Sequence, residues 1–280
     1  SLVPKVSVPI MISMLVQALY NVVDSAFVAK ISDVNQDALN AVSLAFPVQN
    51  IMIGIATGTA VGVNALLSRA LGERDPDMVN RSALNGVFLA GLGMLLSALF
   101  GIFCAELFMR SQTSNEAVIA YGTAYIRIIT IASFGIFGEI IFERLLQSTG
   151  AIAHAIRAVT KPGDEVLTFA PYFPEYGPYV GGTGAVLNII FDPILIFGLF
   201  GLPRMEVAGA AVATIISQAL SAAWVLRFLC SEKSGIRLKK AGMKPDFSLI
   251  GQIMALGVSP FVMSATESAI TIVMNHGLQV

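Results

Sequence analysis

Three polar side chains interrupt an apolar segment near the start of the chain: Gln17, Asn21 and Asp24. Spacings of four and three residues place all three on one face of a helix. A polar stripe facing lipid would be expensive, so this face should line a bundle interior or a water-filled cavity. The pattern predicts a functional surface on the first helix, where Gln17 and Asn21 are candidates for a substrate or proton path.

A second polar pair, Asn188 and Asp192, is also spaced by one helical turn, and Pro193 follows directly. Proline has no backbone N–H, so the carbonyl of Ile189 loses its usual helical donor. A free carbonyl beside a carboxylate and an amide suits a hard cation, which prefers oxygen ligands. Thr214 adds a hydroxyl in the next apolar segment, one turn after Ala210.

Asp24 and Asp192 could approach each other in such a bundle. Two carboxylates in a poorly solvated site repel, and a bound Na⁺ or H⁺ would relieve the repulsion. This chemistry is that of an ion-coupled transporter. The alternative is structural: both acids only form hydrogen bonds with neighbouring helices.

Weaker candidates lie elsewhere in the apolar segments. Glu139 is a candidate member of a substrate or proton path, as is Glu267, although Glu139 and its neighbour Glu143 could instead pair with Arg144 or solvent. Glycines 54, 58 and 62 have the spacing that lets two helix backbones approach closely, and we interpret them as packing residues.

The elements that must position these residues are membrane helices. The chain has 280 residues, 55% apolar and only 12% charged, with a net charge of −1. This composition argues against a disordered chain, a nucleic-acid-binding protein and an ordinary soluble enzyme, and predicts an all-α polytopic membrane protein without an organic cofactor. Apolar stretches occupy residues 8–31, 38–67, 83–108, 117–141, 184–202, 207–229 and 259–279.

The basic residues predict an orientation. Most lysines and arginines fall on one side of this map, including the basic start of the connection 231–257. Because cytoplasmic loops are enriched in these residues, we expect a cytoplasmic N-terminus. Residues 247–256 have an amphipathic pattern that predicts a helix lying on the membrane surface.

Residues 151–183 do not follow the membrane pattern. Their start is typical of a helix, residues 165–170 of a short strand, and the remainder of a loop rich in Pro and Tyr. The run "PGDEV…PYFPEY" resembles fold-type I pyridoxal-phosphate aminotransferases, although no Schiff-base lysine motif follows. We therefore interpret this segment as a foreign insertion in a cytoplasmic loop, and the chain as a non-enzyme.

Outside that segment the chain resembles the MATE (multidrug and toxic compound extrusion) transporters. The matching stretches include "QALYNVVDSAFVA", "ERLLQSTG" and "GAVLNIIFDPILIFGLFGLP". The resemblance implies two lobes of six helices, exchange of Na⁺ or H⁺ for organic cations, and a cation site in the first lobe. The positions that match this site are Asp24, Asn188, Asp192, Thr214 and, through its carbonyl, Ala210; four of these, all but Ala210, would ligate Na⁺ by their side chains. Glu267 matches an acid of the seventh helix in some members.

The expected organisation is a six-helix first lobe plus part of a seventh helix. It divides into lobe helices 1–4 at residues 1–150, the insertion at 151–183, helices 5–6 at 184–230, a cytoplasmic connector at 231–257 and the start of helix 7 at 258–280. The expected partners are a small cationic substrate, the lipid bilayer of a prokaryotic inner membrane and a missing second lobe. Two alternatives remain open: a lipid-linked oligosaccharide flippase of the related superfamily, and a chimeric fragment without activity.

Overall fold

The computed structural model describes residues 26–28, 30–31, 37–159, 176–230 and 245–278, and every regular element in them is a helix. The helices are α1 (Asp37–Gly72), α2 (Pro76–Phe103), α3 (Ala105–Gln112), α4 (Glu116–Ile131), α5 (Phe134–Val159), α6 (Tyr176–Phe197), α7 (Glu206–Leu229) and α8 (Phe247–Leu278). A short 3₁₀ turn, Leu199–Gly201, joins α6 to α7.

Four of these helices are long and apolar enough to cross a membrane, and a fifth span is added if α4 and α5 count as one bent span. The outer face of α2 and α3 is apolar and open: the side chains of Leu95, Phe103 and Leu107 are 57, 73 and 72% exposed. Such a surface belongs in lipid, because water would leave a large apolar patch uncovered.

Helix α1 lies at the centre and packs against α2, α4, α5 and α8. One buried cluster contains Leu67, Phe137, Leu145 and Ile253, and a second contains Met109, Ile126 and Ile196. The expected close approach is confirmed for glycines 54, 58 and 62. A Cβ on Gly58 would lie 2.7 Å from the Gly257 carbonyl oxygen of α8, and a Cβ on Gly54 would lie 2.7 Å from the Ser264 Cβ.

Two predicted spans are broken in the structure. Within the span predicted at 83–108, α2 ends at Phe103, and Cys104 separates α2 from α3. The span 117–141 bends by 46° between α4 and α5 at Ala132 and Ser133. The bend brings the backbone of α5 against α7: a Cβ on Gly135 would lie 2.9 Å from the Ile215 carbonyl oxygen.

The prediction of a separate surface helix at 247–256 is wrong. Helix α8 runs without interruption for 32 residues from Phe247. Asp246 caps its start, because the Asp246 carboxylate accepts hydrogen bonds from the backbone N–H groups of Ser248 and Leu249 at 3.0 and 3.3 Å. Ile253 and Gly257, in and next to the supposed surface helix, are buried against α1.

The start of the segment 151–183 is helical, as predicted, but the loop predicted at its end is wrong. Helix α5 continues to Val159, and α6 begins at Tyr176. The predicted loop at 176–183 is therefore the first two turns of α6, while the predicted strand 165–170 lies outside the described residues. With 22 residues, α6 is about 33 Å long, and residues 184–197 are its apolar part.

Candidate functional site

A cavity of 390 Å³ lies between α1, α5, α6 and α7. Its polar lining comes from all four helices and includes Gln49, Thr57, Glu139, Glu143, Asn188 and Thr214. The site residues predicted on the fifth and sixth spans therefore meet side chains from α1 and α5 in one space. A cavity of this size is in the range of small-molecule sites.

Asn188, Asp192 and Thr214 form a buried cluster beside this cavity. Their exposed fractions are 2, 0 and 3%. In one orientation of the Asn188 amide, Nδ2 donates to Thr214 Oγ1 at 3.0 Å. In the reverse orientation Nδ2 donates to the two Asp192 carboxylate oxygens at 2.5 and 3.0 Å, and Oδ1 accepts from the Thr214 backbone N–H at 3.1 Å. Only the reverse orientation pairs every donor with an acceptor.

The two amide orientations have different chemical requirements. With Nδ2 toward Thr214, the Asn188 oxygen faces the Asp192 carboxylate, and two acceptors at this distance need a proton or cation between them. With Nδ2 toward Asp192, no additional charge is needed. With Nδ2 toward Asp192, the cluster is therefore satisfied by its own hydrogen bonds.

The structure places Ala210 in the same cluster. The Thr214 hydroxyl donates to the Ala210 carbonyl oxygen at 3.0 Å, and Ala210 is 1% exposed. Pro193 lies inside α6, directly after Asp192. Four of the five residues in the predicted cation site are therefore within one buried cluster. Asp24, Asn21 and Gln17 lie outside the described residues, so their approach to the cluster stays a prediction.

Glu139 and Glu143 line the opposite wall of the cavity on α5. Glu143 Oε1 accepts a hydrogen bond from Gln147 Nε2 at 2.8 Å, and Gln147 Oε1 accepts one from Arg144 at 2.8 Å. The predicted pairing of Glu143 with Arg144 is thus mediated by Gln147. Glu139 forms no hydrogen bond or ion pair with any residue that the structure describes.

Glu267 lies away from the cavity, at the contact between α1 and α8. Its side chain is exposed, and the Asn50 amide lies 3.5 Å from Oε2. The same amide donates to the Ser264 carbonyl and the Ser268 hydroxyl, both at 3.2 Å. Among the described residues, the structure therefore does not bring Glu267 together with Glu139, Asn188, Asp192 or Thr214.

Three polar residues that the sequence pattern did not single out become important in the fold. Asn50 joins α1 to α8, and Gln49 lines the cavity and accepts a hydrogen bond from the Tyr125 hydroxyl at 3.0 Å. Ser217 lines the cavity on α7. Adjacent Gln49 and Asn50 interrupt the apolar run of α1, a signal of the same kind as Gln17 and Asn21; a single serine gives no comparable signal.

Comparison with known proteins identifies the family. A model of the MatE family matches residues 9–160, more than half of the chain. The chain belongs to the MatE family. The match covers the first four predicted spans and the first ten residues of the segment 151–183.

Curated relatives of this MatE chain are named as drug exporters. It is 23% identical to the multidrug export protein MepA of Staphylococcus saprophyticus over 96% of its own length and 53% of that protein. It is 26% identical to the probable multidrug resistance protein YoeA of Bacillus subtilis, over 96% and 54% respectively. The chain spans about half the length of the curated relatives that it matches.

The fold agrees with this membership. The solved structure of the MATE multidrug transporter DinF-BH in complex with rhodamine 6G superposes with a TM-score of 0.81 at 26% identity, covering 98% of this chain and 55% of that one. These matches give no support to an aminotransferase origin for the segment 151–183.

Proposed function

We propose that this MatE chain carries the coupling-ion site of a cation-coupled exporter of organic cations. The observation that carries the proposal is the buried cluster of Asn188, Asp192 and Thr214 beside a cavity large enough for a small molecule. A carboxylate that is 0% exposed in an apolar helix bundle is costly, and such groups mark ion and proton paths.

The donor set fits a hard monovalent cation. Asp192, Thr214 and the Ala210 carbonyl offer oxygens, and Asn188 adds a fourth when its amide oxygen faces Asp192. Asp24 would complete the site from the first helix. Entry of Na⁺ or H⁺ would neutralise Asp192, rotate the Asn188 amide and change the packing of α6 against α7. The ion would thereby bias a two-state helix arrangement, as alternating access requires.

We further propose that the exported compounds are amphipathic organic cations, and that the second lobe needed for transport is supplied outside these 280 residues. The orientation with a cytoplasmic N-terminus, a prokaryotic inner membrane location and a foreign origin of residues 151–183 also remain proposals. The inactive-fragment alternative predicts that the chain neither folds nor binds ions.

The flippase alternative is less well supported by the cavity. A lipid-linked pyrophosphate would need cationic side chains, which provide the charge complementarity that phosphates require. Among the described residues that line the cavity, two are carboxylates and one is a guanidinium, that of Arg144, which is bonded to Gln147. This lining favours a cation over a pyrophosphate.

The test is thermal unfolding of the detergent-purified chain while Na⁺ is titrated against choline at two pH values. A ligand that binds only the folded state stabilises it by about 2.7 kcal/mol at 100 times its Kd. We expect Na⁺, or protons at the lower pH, to raise the midpoint of the wild type, and Asp192→Asn to abolish that rise. Asp77→Asn, at an exposed position in the first turn of α2, is the matched control and should keep it.

Two results would contradict the proposal. A cation-dependent rise that persists in Asp192→Asn would place the coupling site elsewhere. A cooperative wild-type transition that responds to neither Na⁺ nor pH would make the cluster purely structural.

A further inference from the structure

The cavity contains a second acidic position that the coupling-ion cluster does not use. Glu139 lies on α5, where a Cβ added to Gly184 of α6 would be 3.1 Å from its Oε1. Glu143, one turn later, is already bonded to Gln147, which is bonded in turn to Arg144. The only carboxylate of this wall without a partner among the described residues is therefore that of Glu139.

Polar groups on α7 next to the same space also lack partners. The Ser217 hydroxyl is buried, with the residue 1% exposed, and makes no hydrogen bond in the described part of the chain. The side-chain oxygen of Gln218 is also buried and makes no hydrogen bond in the described part of the chain. Both residues line the cavity. A buried polar group without a partner costs free energy, so two such groups at one cavity indicate a partner that enters it.

The charge of the lining defines that partner. The ionisable residues that line the cavity among those described are Glu139, Glu143 and Arg144, whose formal charges sum to −1. The Glu139 carboxylate and the Gln218 side-chain oxygen can accept hydrogen bonds from a cationic N–H group, and the Ser217 hydroxyl can accept one as well. The lining therefore matches a single positive charge that carries donors.

The volume and the apolar wall of the cavity define the bound molecule further. A bare inorganic ion needs several oxygens closely around it, whereas this cavity has a volume of 390 Å³. Its apolar wall is formed by Phe46, Ile53, Ile136 and Ile140. Phe46 can stack on a planar body or face a cation. The cavity therefore suits an organic molecule that has an apolar body and one cationic N–H group.

We propose that Glu139, with Ser217 and Gln218, binds a cationic N–H group of an amphipathic organic monocation in the cavity that Asn188 and Thr214 of the coupling-ion cluster also line. This inference rests on the proposed export of organic cations and names the residues that hold the cargo. Glu139 and Asp192 then have different tasks, since one faces the exported cation and the other the coupling ion.

The experiment measures rhodamine 6G binding to the detergent-purified chain by fluorescence anisotropy. We expect Glu139→Gln to raise the dissociation constant at least about tenfold, as the loss of a charge-assisted contact predicts. Ser217→Ala should raise it severalfold. Glu73→Gln, which removes an exposed carboxylate next to the end of α1, should bind as the wild type does. Rhodamine B, a zwitterion with the same ring system, should discriminate less between the wild type and Glu139→Gln.

Each variant is first shown to unfold cooperatively, so that a lost fold is not mistaken for lost binding. Wild-type affinity in a folded Glu139→Gln, or no binding to the wild type, overturns the inference. The Na⁺ and pH titration on the same preparations separates the two proposals. A wild type without any ion effect refutes the coupling-ion proposal whatever rhodamine 6G does, whereas an ion effect with unaltered dye binding in Glu139→Gln refutes only the assignment of Glu139.

Discussion

Gly58 of α1 faces Gly257 of α8 backbone to backbone: a Cβ on Gly58 would lie 2.7 Å from the Gly257 carbonyl oxygen. Hydrogen bonds also join these helices, because the Asn50 amide of α1 donates to the Ser264 carbonyl and the Ser268 hydroxyl of α8. Close backbone approach of this kind is how membrane helices gain packing energy without a hydrophobic driving force.

Gly58→Ala should therefore destabilise the chain, although alanine is the better helix former. Overpacking at a rigid backbone contact costs about 1–3 kcal/mol, more than the gain of about 1 kcal/mol in helix propensity. The measurement is the free energy of unfolding in detergent. Gly91→Ala in α2, where an added Cβ would meet nothing within 4 Å, is the control and should be neutral or stabilising. Equal effects of the two substitutions would mean that α1 and α8 do not pack as described.

Thr214 is the residue that joins α7 to the Asn188 amide. Thr214→Val keeps the shape but removes the hydroxyl, which lies 3.0 Å from the end of the Asn188 amide and donates to the Ala210 carbonyl oxygen. The expected loss of stability is about 1–3 kcal/mol. Thr214→Ser keeps the hydroxyl and should retain the cation response of the wild type, whereas Thr214→Val should weaken it. A Val variant with a wild-type response would remove Thr214 from the ion site.

Much of this fold could be predicted from the sequence, and the failures share a physical cause. Hydropathy located the long helices of the described residues because apolar side chains must face lipid or the core. It could not show that Ile253 and Gly257 pack on α1, since an amphipathic stripe fits a protein neighbour as well as a membrane surface. It also missed the bend at Ala132 and Ser133, which no proline marks and which depends on the approach of α5 to α7.

The candidate site was predictable where two polar groups share one helix face, as Asn188 and Asp192 do. Glu139 was also among the predicted candidates, but its lack of a partner becomes visible only when α5, α6 and α7 are assembled. Ser217 could not be singled out in this way, because a serine in a membrane helix is ordinary until its burial and missing partner are known.

A pH dependence is expected at the start of α8. Backbone N–H groups of Leu249 and Ser248, together with Arg81 of α2, hold the pKa of the Asp246 carboxyl below its ordinary value. Because the pKa is lower in the folded state, the contribution of Asp246 to stability is present above its unfolded pKa of about 4 and is lost as the pH falls through the folded value.

Thermal unfolding between neutral and acidic pH tests this linkage. The midpoint of the wild type should fall more steeply toward low pH than that of Asp246→Asn, which keeps a capping oxygen but cannot titrate. Asp246→Ala should be the least stable of the three at neutral pH because it loses both the cap and the pair with Arg81. Parallel pH curves for the wild type and Asp246→Asn would contradict the assignment.

The turn between α6 and α7 sets the register that brings Asn188 to Thr214. Gly198 has φ +71°, and a Cβ there would lie 2.7 Å from the Arg204 backbone N; Gly201 has φ +83°, but nothing lies within 4 Å of its added Cβ. Gly201→Ala should thus cost only the left-handed strain, about 1 kcal/mol, and Gly198→Ala about 2–4 kcal/mol because a backbone collision is added.

The free energies of unfolding of both variants test this order. Gly198→Ala should also weaken the ion-dependent rise in midpoint, since α6 must shift against α7, whereas Gly201→Ala should keep it. A reversed order would show that the turn does not hold the two helices of the site in register.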